Sequence, residues 1–207
     1  MNKKTIVKVL DTLENEPASG EFLEYKEPWQ LLFATILSAQ CTDARVNIVT
    51  STLFVKYPDP EAFAHAELKE LEEDIRSTGF YHNKAKNLIS CAKTLVEKYN
   101  GVVPSDIDEL TTLAGVGRKT ANVVRGNIYK IPSVVVDTHV GRVSRRLGLT
   151  ESTDPETAEY DLMRAIPKDR WISVNHLFMN LGRNICTSRK AFCDRCPISK
   201  LCPKCGV

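Results

Sequence analysis

The sequence predicts an all-α fold, and three observations carry that prediction. Apolar residues recur at helical spacing in most long segments. Aspartate–proline pairs mark helix starts. The only strand-like run, Val134-Val135-Val136, has no second run to pair with. The first well-marked helix opens at Pro28 with Trp29, Leu31, Leu32, Phe33, Ile36 and Leu37. It is apolar almost all round, which places it in a core. Asp59-Pro60 and Asp154-Pro155 each join an N-capping carboxylate to a proline at the first helical position. Leu68, Leu71 and Ile75 share one helical face, and Leu88, Ala92, Leu95 and Val96 share another that Asn100-Gly101 terminates. Trp171 to Cys186 reads as a last long helix. Val134–Val136 fits either a short strand or an extended buried linker. Six or more helices on short turns, without a credible sheet, make an all-α fold.

A chain of 207 residues with 43% hydrophobic and 26% charged residues has the composition of a folded protein, not a disordered one. No apolar run approaches the roughly 20 residues that span a bilayer. Lys8 and Asp11 interrupt the apolar stretch behind the basic start, which argues against a signal peptide, so a cytoplasmic location is expected. The net charge of +2 hides an uneven distribution. Residues 118–146 hold seven cations against Asp137 alone, and residues 183–204 hold six against Asp194. Residues 59–74 hold seven acids against Lys69. Such segregation suits a basic face that meets a polyanion, or else several unrelated solvated faces.

Leu113-Ala114-Gly115-Val116-Gly117-Arg118-Lys119-Thr120-Ala121 lies between two helical stretches. Two glycines one residue apart permit a tight turn, after which backbone N–H groups at the next helix start form an anion site suited to phosphate. The plainer alternative is a turn between packed helices. Lys119 falls just inside that helix, where the dipole and Arg118 disfavour an ammonium. A lysine so placed is a potential Schiff-base nucleophile, or simply a solvated side chain. Asp137 ends the apolar run and precedes a helix start, so it is an N-cap, an electrostatic stabiliser of nearby positive charge, or both.

Five of the seven cysteines fall in the last 22 residues, spaced C-x6-C-x2-C-x5-C-x2-C. Two ligand sets compete: Cys186, Cys193, Cys196 and Cys202, or the C-x2-C pairs 193–196 and 202–205. Paired zinc motifs usually leave about 15–20 residues between pairs, against five here, so a compact iron–sulfur loop is the better fit, although spacing alone leaves zinc open.

Taken together these motifs resemble the endonuclease III family of helix-hairpin-helix DNA glycosylases. The motifs that carry the resemblance are Leu37-Ser38-Ala39-Gln40-Cys41-Thr42-Asp43, the hairpin Leu113–Ala121, Val136-Asp137-Thr138-His139-Val140 with Arg142-Val143, and the cysteine tail. The resemblance spans essentially the whole chain. It implies a two-domain all-α fold: a six-helix barrel over residues 22–133 with the helix-hairpin-helix at about 107–125, and a second domain of residues 1–21 plus 134–207 carrying a [4Fe–4S] cluster. It implies a bifunctional glycosylase and abasic-site lyase that removes oxidised pyrimidines and nicks the strand. Lys119 would be the nucleophile and Asp137 its partner, approaching a shared groove from opposite sides. The cluster ligands would be Cys186, Cys193, Cys196 and Cys202, with Cys205 spare. DNA contacts would come from Gln40, which fills the gap left by the extruded base, from Tyr81, His82 and Lys84 of a second inserting loop at 79–84, from Gly115, Gly117, Arg118 and Thr120 of the hairpin, and from Lys190. Asp43 and His139 would border the base pocket, although His139 by itself reads as a structural hydrogen-bonding residue. The partner would be double-stranded DNA bearing a damaged pyrimidine or an abasic site, bound by a monomer. Two departures from the family pattern are Ala114, usually proline, and Cys41, commonly alanine. The competing readings are an adenine or thymine glycosylase, which lacks the lysine, a non-catalytic DNA-binding module, and a redox-sensing DNA-binding protein.

Overall fold

The computed structural model of the chain describes residues 1–17 and 22–207. Among these the regular elements are helices, plus one isolated antiparallel bridge between Cys186 and Ala191. The all-α expectation therefore holds. The backbone divides into two units, Glu21–Tyr129 and Met1–Gly20 with Lys130–Val207, each with its own apolar core. The expected division at 21/22 touches residues outside those described.

Helices are numbered along the chain. The first, α1 (Lys3–Glu14), belongs to the discontinuous unit. Asn2 caps it by accepting the Thr5 amide, and its buried face is Ile6, Val9, Leu10 and Leu13. The sequence pattern had not drawn attention to it, because short apolar steps between lysines look polar when read linearly.

The continuous unit starts with α2 (Pro28–Leu37), whose residues from Leu31 to Leu37 are all buried. A reciprocal capping box between Glu27 and Gln30 satisfies its first amides. There follow α3 (Asp43–Lys56), α4 (Pro60–Ala64), α5 (Leu68–Asp74), a 3₁₀ turn at Arg76–Thr78, α6 (Tyr81–Tyr99), α7 (Ile107–Thr111) and α8 (Arg118–Tyr129). The core is built around Trp29, Phe33, Phe63, Leu71, Leu88 and Leu95. Phe33 and Phe63 meet edge-on at 4.9 Å, a geometry that aligns the ring quadrupoles. Asp59 caps α4 as its sequence predicts. Asn100 and Gly101 end α6 in left-handed conformation, with the Gly101 amide closing onto the Leu95 carbonyl at 2.9 Å.

The discontinuous unit adds α9 (Thr138–Arg146), α10 (Pro155–Ala165), a 3₁₀ turn at Lys168–Arg170 and α11 (Trp171–Asn184). Both α1 and α9 pack on α11, and the Arg170 guanidinium joins Asp11 and Glu14 of α1. Val134 to Val136 form no strand. The segment is the extended buried linker, and Asn175 holds it by donating to the Val135 carbonyl at 3.1 Å. The last helix stops at Asn184, two residues before Cys186. The chain leaves helical geometry at Ile185, and Cys186 instead joins the bridge to Ala191.

Candidate active site and cysteine centre

The hairpin forms as the glycines predict. Gly115 sits at φ +78°, and a Cβ there would approach the Asn87 Cβ to 3.0 Å, so only glycine suits the turn. The Val116 amide closes the turn onto the Leu113 carbonyl, and the Gly117 carbonyl accepts from Ala121 inside α8. Arg118, Lys119 and Thr120 thus form the first turn of α8, where backbone amides have no intrahelical acceptor. Lys119 is exposed there, while Val116 and Ala121 are buried and anchor the turn on either side.

Asp137 is the N-cap of α9. Its Oδ1 accepts the His139 amide at 2.9 Å and the Val140 amide at 2.7 Å. Among the described residues nothing donates to Oδ2, so one carboxylate oxygen is fixed and the other is available. The Arg142 guanidinium is spent on structure. Its Nε donates to the Cys186 carbonyl at 3.0 Å and its Nη2 to the Gly182 carbonyl at 2.8 Å. That same Nη2 lies 3.1 Å from His139 Nδ1. A Cβ on Gly182 would meet the His139 Cβ at 3.0 Å, so α9 and α11 approach closely through a missing side chain. His139 is therefore a packing and hydrogen-bonding residue of the α9–α11 contact, and its contacts give no support to a base-pocket role.

In the continuous unit, Gln40 is exposed at φ +54° in the turn between α2 and α3. Asp43 is the first residue of α3, behind the Thr42 cap. In the 79–84 loop, Tyr81 stacks on His82 at 4.2 Å, and His82 Nδ1 lies 2.9 Å from the Glu72 carboxylate. The expectation for Lys84 is corrected. Only 4% exposed, its ammonium donates to the Leu37 and Thr78 carbonyls, each at 2.8 Å, and has no reach to a phosphate. Within that loop, whose inserting side chain the sequence leaves open, Phe80 is 63% exposed at φ +50°. The available signal was a large apolar residue directly after a glycine, before a helix with no side-chain cap.

The cysteines settle around one cavity. Cys186, Cys193, Cys196 and Cys202 all line it, with Val143, Leu147, Leu181, Ile185, Phe192 and Ile198 as apolar walls. Cys205 is not in that lining and lies against Gly148 instead. Arg146 Nη1 donates to Cys186 Sγ at 3.2 Å, and the Lys204 amide donates to Cys202 Sγ at 3.3 Å. Burial, then the neighbouring sulfurs, push the Cys196 and Cys202 thiols up. Among the described residues no three Cys, His, Asp or Glu side chains converge on a single-ion point. Around the cavity, the Thr187 hydroxyl donates to the Lys190 carbonyl at 2.7 Å and accepts the Lys190 amide, leaving the Lys190 side chain exposed above Phe192.

Residues 33–168 match the family described as HhH-GPD superfamily base excision DNA repair protein. The chain is 51% identical over 188 residues to the endonuclease III of Synechocystis sp., covering 90% of this chain and 86% of that protein. It is 45% identical over 204 residues to the endonuclease III of Bacillus subtilis, covering 98% and 93%. The fold superposes with a TM-score of 0.90 and 45% identity on a trapped endonuclease III–DNA covalent intermediate in an estranged-adenine complex, covering 99% of this chain and 97% of that one.

Proposed function

The chain belongs to the HhH-GPD superfamily of base excision DNA repair proteins, and from that premise we propose that it is a bifunctional DNA glycosylase and abasic-site lyase acting on oxidised pyrimidines in duplex DNA. The single observation that carries this is the pair of helix starts: a lysine exposed on the first turn after the hairpin, and an aspartate whose carboxylate is half-fixed at the cap of α9. That a relative has been trapped covalently on DNA supports the lysine's role.

The chemistry then runs as follows. Flipping the damaged nucleotide out of the stack costs a few kcal/mol, less for a damaged base. The Asp137 carboxylate, through the oxygen that capping leaves available, stabilises positive charge as it develops on the sugar. Neutral Lys119 attacks C1′; the N–C1′ bond forms and the glycosidic bond breaks with the base as leaving group. Ring opening yields a Schiff base, which acidifies the C2′ proton. Loss of that proton breaks the C3′–O bond and nicks the strand. Amides of Gly115, Gly117 and the α8 start hold a phosphate, with Arg118 and Thr120 beside them and Lys190 on the cysteine loop. Gln40 and Phe80 fill the stack, flanked by Tyr81 and His82, and Asp43 meets the base. The barrel domain corresponds to the continuous unit, which ends at Tyr129, four residues short of the expected 133, and the discontinuous unit corresponds to the cluster domain.

The cysteine cavity suits a [4Fe–4S] cluster held by Cys186, Cys193, Cys196 and Cys202. Four thiols around one apolar cavity, without convergence on a single point, favour a group wider than one ion. Two N–H donors to sulfur favour one that is anionic. When bound, the cluster supplies cross-links that fix the basic loop 187–204. Among the described residues no helix is long and apolar enough to cross a membrane; the bacterial endonuclease III relatives support action on DNA in the bacterial cytoplasm.

The test is borohydride trapping on duplexes carrying one oxidised pyrimidine or one abasic site. A covalent complex with the parent protein, absent in Lys119→Ala, is the expected outcome. No complex on either duplex, with DNA binding intact, sinks the lyase reading.

A further inference from the structure

Two exposed turns of the continuous unit contain non-glycine residues in left-handed backbone, Gln40 at φ +54° and Phe80 at φ +50°. Each such residue costs about 1–3 kcal/mol, and persists where surrounding structure imposes it. One side chain reaches the chain just before each turn. The Leu37 carbonyl ends α2 and has no intrahelical donor, and the Thr78 carbonyl ends the 3₁₀ turn. One buried ammonium serves both: Lys84 Nζ donates to each at 2.8 Å, reaching 47 residues back in sequence to the first and six to the second. The Lys84 amide also donates to the Phe80 carbonyl at 3.1 Å, so a single residue grips the second turn by backbone and side chain together.

We propose that Lys84 is a positioning residue that locks the Gln40 and Phe80 turns into one rigid wedge, so that both side chains enter the duplex in a single motion. Nothing else explains a lysine here. Its neighbours are carbonyls, not carboxylates, and burial pushes its pKa down, with Cys41 opposing that shift. A buried amine on neutral acceptors is costly compared with an apolar side chain of similar length. What it provides is two directed hydrogen bonds spanning two turns, which no apolar residue supplies. The packing beneath is independent of it, since Leu37, Ala85 and Leu88 are buried in the hydrophobic core.

This inference rests on the glycosylase reading, and its test separates the two. Lys84→Met keeps the stem and removes the donors. Extruding a stacked base needs the wedge; an abasic sugar has no base to unstack. Excision of an oxidised pyrimidine from intact duplex should therefore fall at least about tenfold, while borohydride trapping on a preformed abasic duplex stays within about threefold. Amide hydrogen exchange should quicken in residues 38–42 and 78–80 together and stay unchanged in α8. Equal loss on both substrates, or no loss on either, overturns the proposal. Absence of base excision by the parent protein overturns the glycosylase reading and this proposal with it. Should Lys84→Met fail to fold, Gln40→Ala and Phe80→Ala decide the matter, since both side chains are exposed. A locked wedge makes their losses in base excision non-additive in the double variant, and simple additivity overturns it.

Discussion

At the start of α9 the Asp137 carboxylate accepts two backbone N–H bonds from its own turn, at 2.9 and 2.7 Å. At the start of α8 the Lys119 ammonium is exposed, and no hydrogen bond or ion pair ties it down among the described residues. Both are helix N-termini, with the same orphan amides and the same dipole. The aspartate uses those features and is held by them. The lysine makes no such bond and is exposed. The difference separates stability from reactivity. A charge-stabilising group is most effective when fixed in advance, so that no reorganisation accompanies the reaction. A nucleophile that must travel to a carbon and then remain attached through ring opening and elimination needs freedom at its tip.

The comparison is sharpened by two variants of very different effect. Lys119→Ala should lose strand nicking by three orders of magnitude or more, which is about 4 kcal/mol of barrier, with the melting midpoint unchanged within about a degree. A large fall in that midpoint would show that the lysine is structural. Asp137 should behave otherwise. Asp137→Asn keeps an oxygen for the cap and removes the charge, so excision should drop roughly 10²–10³-fold while stability holds. Asp137→Ala should lose the same activity and also about 1 kcal/mol of stability by chemical denaturation. If Asn and Ala variants are equally stable, capping contributes little and the half-fixed carboxylate is an incidental arrangement.

These two residues were legible in the sequence because each sits beside a local signal, the double glycine before one and the end of an apolar run before the other. Helix starts at Asp59 and Asp154 were legible for the same reason. Lys84 was not, because its role depends on a carbonyl 47 residues away. A lysine in a loop motif reads as a phosphate contact until tertiary structure buries it. His139 reads by itself as a structural hydrogen-bonding residue, and its contacts agree, although its packing partner Gly182, on another helix, was not legible. The 79–84 loop was legible as a unit, but which of its side chains stands out was not, because the exposure of Phe80 follows from its left-handed backbone. Among the cysteines, spacing alone left two ligand sets open, and the cavity lining separates Cys205 from the other four.

That separation predicts a contrast milder than the one at Lys119. Cys205→Ser should retain the parent protein's iron content and its absorbance, whereas Cys202→Ser should lose most of both. The Cys202 variant should also weaken DNA binding in a salt-dependent way, because the loop carrying Lys190 and Lys200 is no longer fixed. Equal iron loss in both would favour the ligand set that includes Cys205.

The smallest effect comes from a third aspartate at a helix start, which isolates capping from chemistry. Asp154 caps α10 through Oδ2, which accepts the Thr157 amide at 2.7 Å and the Thr157 hydroxyl at 2.8 Å. These bonds, the backbone one first, hold its carboxyl below the usual range. A depressed pKa in the folded state means that the stabilisation is present above the ordinary aspartate value, about 3.9, and fades as the pH falls through the folded value. Asp154→Ala should therefore lower the melting midpoint by a few degrees at neutral pH, with the deficit shrinking below that range, and leave excision and nicking rates unchanged. Asp137→Ala should share the loss of stability at neutral pH but not the unchanged rates. Should Asp154→Ala lose activity as well, destabilising this unit would itself impair the reaction. The activity lost in Asp137→Ala would then no longer measure its carboxylate alone, and only Asp137→Asn would speak for the charge.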